Sequence, residues 1–204
     1  MCFTPSASFV AGASLSAIGV ATTKKVKRKT TRPFASIPFF FGIQQITEGA
    51  VWLTLRSGNI SLNTVFTFAY GLFAYVFWPI FIPFAIRSME RVLWRKKVLV
   101  FLQIIGGVVG SYLLYSHLIN PVTSQAVNKS IVYTSTHFYS IAVLVGYFST
   151  TILSFFFSSR RLINMFGILI LSSAVAAYWV YATYFVSVWC FFSALLSGTI
   201  LYIL

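Results

Sequence analysis

One acidic residue lies where the sequence is otherwise apolar. Glu48 falls inside the run 34–55, about eight residues before its end. Gln44 and Gln45 precede it by four and three residues, and Trp52 follows by four. Helical spacing gathers these side chains on one broad face. At 1.5 Å per residue, Glu48 would sit roughly 12 Å below the nearer membrane boundary. A carboxylate there costs several kcal/mol (on the order of 3 or more) unless it is paired, protonated or reached by water. Gly42 and Gly49 run beside the face and would admit a neighbouring helix, so the face is expected to look into a bundle.

The chain has two histidines. His137 lies about six residues into the run 131–158, a depth of roughly 9–10 Å by the same rise, in the layer of Glu48. Tyr139 lies close by, and Ser6, Ser8 and Tyr70 add polar groups near that level. His117 falls at the end of another run, just above. Two chemistries follow. Glu48, with Gln44, Gln45, Trp52, His137 and Tyr139, would recognise a cation, a proton or a small polar solute. Alternatively Glu48, His117 and His137 would supply at most three strong ligands to a zinc ion that activates water. The plain alternative to both is polar glue between helices. A functional pocket is favoured over glue, because ionisable groups buried in membranes usually mark one. His117 by itself reads better as an interfacial residue than as a ligand.

The elements that must position these residues are transmembrane helices. Of 204 residues, 58% are hydrophobic, 19% aromatic and only 8% charged. Soluble domains carry roughly a quarter charged residues, so lipid is the expected solvent for most side chains. Seven segments have the length that a helix needs to cross the hydrocarbon layer. They run over about 4–22, 34–55, 63–86, 98–116, 131–158, 162–181 and 184–204. The fifth is long enough to be tilted or to begin outside the bilayer. The last two leave room only for a tight turn. The reading is an all-α polytopic membrane bundle of about seven helices, in a single domain over 1–204.

Thirteen of the fifteen Lys and Arg fall in the first, third and fifth loops, leaving Arg56 and Lys129 for the other side. The positive-inside rule puts those three loops in the cytoplasm, the N-terminus outside and the C-terminus inside. The same clusters would touch anionic lipid headgroups. The net charge of +13 therefore does not argue for nucleic acid, and no motif of that class accompanies it. Ser8, Gly12 and Ser16 on the first helix, and Gly106 with Gly110 on the fourth, make small-residue stripes for close packing. Trp78-Pro79 and Pro83 should bend the third helix. Glu90, three residues after Arg87 and beside Arg91, reads as a surface ion-pair partner. Cys2 and Cys190 show neither zinc nor redox spacing.

Cys2-Phe3-Thr4-Pro5-Ser6-Ala7-Ser8-Phe9, with Gly12 and Ile18-Gly19-Val20, resembles the opening of an uncharacterised group of bacterial multi-pass membrane proteins, catalogued as a domain of unknown function. Phe41-Gly42-Ile43-Gln44-Gln45, Glu48-Gly49 and Trp52 resemble its second-helix pattern, and Trp78-Pro79 with Pro83 its third. The resemblance spans most of the first 90 residues. It implies a bacterial inner-membrane protein and supplies no activity.

A solute- or ion-binding membrane protein, a transporter included, is thus the preferred reading, with an outward-facing pocket around Glu48. A faint repeat, Phe41-Gly42-Ile43 and Phe166-Gly167-Ile168, echoes the internal symmetry of small transporters. A metal-dependent intramembrane hydrolase, by analogy with seven-helix ceramidases, has too few histidines. A seven-helix sensor is permitted by topology alone. Retinal is not expected as a cofactor, because the last helix has no lysine. No phosphate loop or nucleophile elbow supports soluble-type enzyme chemistry.

Overall fold

The computed structural model describes residues 4–127, 130–134 and 140–204. Its helices are α1 (Pro5–Lys25), α2 (Ile37–Ser57), α3 (Ile60–Met89), α4 (Leu93–Ile119), α5 (Ile141–Phe156), α6 (Arg161–Tyr181) and α7 (Phe185–Ile203). Between α4 and α5 lies an antiparallel hairpin, β1 (Thr123–Val127) and β2 (Ser130–Thr134), in the register Val127↔Ser130 to Thr123↔Thr134. Five helices, α1, α3, α4, α6 and α7, are long and apolar enough to cross a membrane. Helix α5 is apolar but shorter, and α2 carries the polar residues of the candidate site.

Six of the seven expected segments coincide with helices to within a few residues, and the turn before α7 is a single 3₁₀ turn, Ala182–Tyr184. The fifth does not. Its first part, 131–134, is the second strand of the hairpin, and the helix begins only at Ile141. Ile131, Val132 and Tyr133 are β-branched or aromatic, residues that suit a half-buried strand, and Ile131 and Tyr133 are buried. Their hydropathy alone made the strand look like the start of a span.

Small residues set the closest contacts. A Cβ on Gly42 would lie 2.7 Å from the Ser16 nitrogen and 2.8 Å from the Gly12 carbonyl, and one on Gly19 would lie 2.3 Å from the Phe39 nitrogen. Helices α1 and α2 thus pack backbone to backbone along the expected stripe. The stripe on α4 works likewise against α3, where a Cβ on Gly106 would overlap the Pro79 carbonyl.

The prolines of α3 have a more specific consequence than a bend. A π-helical stretch, Leu72–Phe77, runs straight into Trp78-Pro79. In π register the Ala74 carbonyl would look to the nitrogen of residue 79, which carries no hydrogen. The Tyr147 hydroxyl of α5 donates to that carbonyl instead, at 2.5 Å. The Pro79 carbonyl is orphaned in the same way by Pro83, and it lies against Gly106, where only a hydrogen fits. Both freed carbonyls therefore dock a neighbouring helix.

The two ends of the bundle differ. At one end are the basic loops. The Glu90 carboxylate accepts the backbone N–H groups of Arg91 (2.8 Å) and Val92 (2.9 Å) on one oxygen, and that of Ser159 (2.6 Å) on the other. The Arg95 guanidinium donates to the Ser158 carbonyl, and Lys25 Nζ to the Leu201 carbonyl at 3.3 Å. The third and fifth loops, and the ends of α1 and α7, are thus held at one end. Glu90 is buried and bound to backbone, not a surface partner of Arg87 or Arg91. Burial alone would raise its pKa, but the N–H groups of Val92, Ser159 and Arg91 outweigh that and hold the carboxyl below its ordinary value.

At the other end the hairpin covers the bundle. Ser124 shares a hydrogen bond with Thr67 at 2.8 Å and donates to Asn63, which in turn donates to Thr54. Tyr133 stacks on Tyr70 with ring centroids 4.4 Å apart. These contacts tie the hairpin to α2 and α3.

Candidate functional site

The polar face of α2 points into the bundle as its spacing requires. Gln44, Gln45 and Glu48 are fully buried, and Trp52 is 4% exposed. Helix α2 can present this face because the adjoining side is given to α1 through the glycine contacts, leaving α3 and α7 to meet Gln44 and Glu48. Glu48 Oε1 accepts from the Ser187 hydroxyl of α7 at 2.7 Å. Gln44 Oε1 accepts from the indole N–H of Trp78 on α3 at 2.7 Å, and Gln44 also lies against the Cys190 thiol, as does Tyr70. Gln45 is different. Among the described residues neither its carbonyl oxygen nor its amide nitrogen has a hydrogen-bond partner. Buried amides are normally satisfied, and each unsatisfied group costs about 1–3 kcal/mol.

Ser8 and Tyr70 are buried near this layer, whereas Ser6 is exposed and bonds to Thr4. His137 and Tyr139 lie outside the described residues. His117 is buried at the end of α4 and both ring nitrogens are engaged. Nδ1 accepts from the Val122 backbone N–H at 3.4 Å, and Nε2 meets the Phe68 carbonyl at 3.1 Å. Its ring stacks on Phe68 with centroids 4.5 Å apart and fills the space over Gly71. His117 therefore anchors the start of the hairpin to α3 and α4. Among the described residues no three His, Cys, Asp or Glu side chains gather where they could hold a metal.

Three partners of the site escaped the sequence reading: Ser187, Cys190 and Trp78. Ser187, Cys190 and Ser193 recur every three residues on α7, a polar stripe on an otherwise apolar helix. That stripe was the available signal. Beyond Glu48, about 9 Å along α2, Thr54 borders an open crevice of about 570 Å³ between α2, α3 and the hairpin. Asn59, Asn63, Thr67, Thr123 and Ser124 also line it, and none is charged.

Long apolar helices around an inward-facing carboxylate define, by length and composition, a helical membrane protein. Over residues 1–204 the chain matches the model of a family described as "Family of unknown function (DUF6629)", and it belongs to that family. No curated protein and no solved structure matches it.

Proposed function

We propose that the protein binds a small cation, inorganic or a protonated amine, at Glu48, and passes it between the outer crevice and the bundle interior. In this reading all seven helices cross a bacterial inner membrane. The basic loops face the cytoplasm, near anionic headgroups, and the hairpin faces outside. The observation that carries the proposal is the composition of the buried layer. A carboxylate, a bound glutamine and a glutamine with no partner among the described residues share one face of α2, deep in an apolar bundle. Polar glue would pair its own groups. Gln45, whose four hydrogen-bonding positions meet no partner among the described residues, is what a binding site requires and what a structural contact avoids. The engagement of both His117 nitrogens favours binding over metal-assisted hydrolysis.

The test is a thermal-unfolding series on purified protein with sodium, potassium, ammonium and methylammonium chlorides at constant ionic strength. At least one salt should raise the wild-type melting temperature, by about 5 °C at a hundredfold excess over Kd. Glu48→Gln should lose that response while keeping its fold. No response in the wild type, or the same response in both proteins, contradicts the proposal.

A further inference from the structure

Two stripes face each other inside the bundle. On α2, Phe41, Gln44 and Glu48 follow at steps of three and four residues. On α7, which runs the opposite way, Ser187, Cys190 and Ser193 follow at steps of three. Ser187 reaches Glu48 and Cys190 lies against Gln44. One turn further along both stripes, a cavity of about 40 Å³ opens within the bundle. That is several times the ~10–15 Å³ that a single water needs. Phe41, Cys190 and Ser193 contribute to its wall from the stripes, and Trp78, Tyr147 and Trp189 complete it with Phe155 and Phe166.

The wall is nearly all carbon, and much of it is aromatic. Trp78 has its N–H tied to Gln44, and Tyr147 has its hydroxyl tied to the Ala74 carbonyl. Phe41 stacks on Trp78 with centroids 3.9 Å apart, and the rings of Tyr147 and Trp189 meet edge to face at 6.1 Å. Aromatic faces carry a negative quadrupole and attract cations. A carboxylate about two helical turns away, in a medium of low dielectric, adds to the same negative potential. Such a chamber attracts positive charge and offers few oxygen atoms. It is a poor host for a bare alkali ion, which needs a shell of oxygens in place of its water. It suits a cation whose charge is spread over carbon-bound hydrogens.

We infer that the cavity is the specificity half of the Glu48 site and that the ligand is a small methylated ammonium, up to about the size of trimethylammonium. The inference rests on the proposed role of Glu48 as the charge partner. The carboxylate supplies attraction from the outer side, and the aromatic wall selects for methyl groups. Gln44 and Gln45, between the two, offer hydrogen bonds to any remaining N–H.

Calorimetric titration of purified wild type with trimethylammonium, potassium and tert-butanol, an uncharged molecule with the same three methyl groups, tests this. Glu48→Gln, Trp189→Leu and Trp189→Phe are titrated beside it, each first shown to be folded by its melting curve. Trimethylammonium should bind tightest of the three. Trp189→Leu should weaken it about tenfold, while Trp189→Phe, which keeps a ring, should restore most of the affinity. If potassium binds in a Glu48-dependent way and trimethylammonium binds no better, the aromatic half is overturned and the Glu48 reading stands. If tert-butanol binds as well as trimethylammonium, the chamber is an apolar void and the inference fails. Trimethylammonium binding that is lost in Trp189→Leu but unchanged in Glu48→Gln keeps the aromatic site and overturns the role of Glu48. Binding of no cation overturns both.

Discussion

Glu48 and Glu90 are the only acids in the chain, and both are buried, yet their surroundings are opposite in kind. Glu90 sits among backbone. Three N–H groups from two loops converge on its oxygens, and none can turn away without unwinding a loop. Glu48 sits among side chains. A hydroxyl reaches one of its oxygens, a glutamine with no partner among the described residues lies beside it, and an aromatic chamber opens within two turns. Backbone donors fix a carboxylate, whereas rotatable side chains can exchange it for another partner. Glu90 is therefore read as a fastening and Glu48 as a binding group. Folded proteins commonly give up stability at the second kind of site and recover it at the first.

The largest expected effect comes from removing the fastening. Glu90→Ala leaves three loop N–H groups without their acceptor, a loss on the order of 3 kcal/mol or more. It should give a lower melting temperature than any single change at Gln45, Glu48 or Ser187. A melt within about 2 °C of wild type would erase the contrast, since that is the shift expected from less than about 1 kcal/mol in a chain of this size.

A pH series sharpens the same point. The Glu90 carboxyl is held below its ordinary value of 4.5, because the N–H bonds of the loops outweigh the cost of burial. The unfolded chain, with a carboxyl near the ordinary value, therefore binds more protons in this range than the folded one. The stabilisation is complete above about pH 4.5 and is lost as pH falls through the lower folded-state value. Wild type should lose melting temperature on that descent, and Glu90→Gln should show a shallower slope. Equal slopes would mean that Glu90 is not the group that titrates.

Smaller effects are expected around Glu48. Gln45→Leu replaces an amide with no partner among the described residues by carbon of similar volume, and should leave the melting temperature unchanged or raise it, by about 1 kcal/mol equivalent. It should also weaken cation binding. Clear destabilisation would reveal that Gln45 holds the fold. Ser187→Ala should be the mildest, costing about 1 kcal/mol, the worth of one hydrogen bond with an acceptor that can turn elsewhere.

Much of this contrast could be read from sequence on one side only. Glu48 announced itself because a carboxylate in an apolar run has few tolerable environments, and because Gln44, Gln45 and Trp52 share its helical face. The small residues that seat α1 on α2 were equally legible, since close backbone approach admits little else. Glu90 was misread for a physical reason. Its partners are backbone N–H groups, which every residue but proline carries and no sequence spells out, so the neighbouring arginines looked like the obvious mates. The hairpin was hidden because Ile131, Val132 and Tyr133 are as hydrophobic as a span. Their β-branched and aromatic character, after Asn120-Pro121, was the signal against helix. The aromatic chamber was not legible at all. Phe41, Trp78, Tyr147 and Trp189 come from four helices, and only the packing order brings them together.

The most direct test of the division between the two acids is a paired melt of Glu48→Gln and Glu90→Gln, each with and without trimethylammonium or whichever cation stabilises the wild type. Glu90→Gln is expected to melt well below wild type and still gain stability from the cation. Glu48→Gln is expected to melt within a few degrees of wild type and gain nothing. The reverse pattern, with Glu48→Gln unfolded or still responsive and Glu90→Gln indifferent, would contradict the assignment of binding to one carboxylate and fastening to the other.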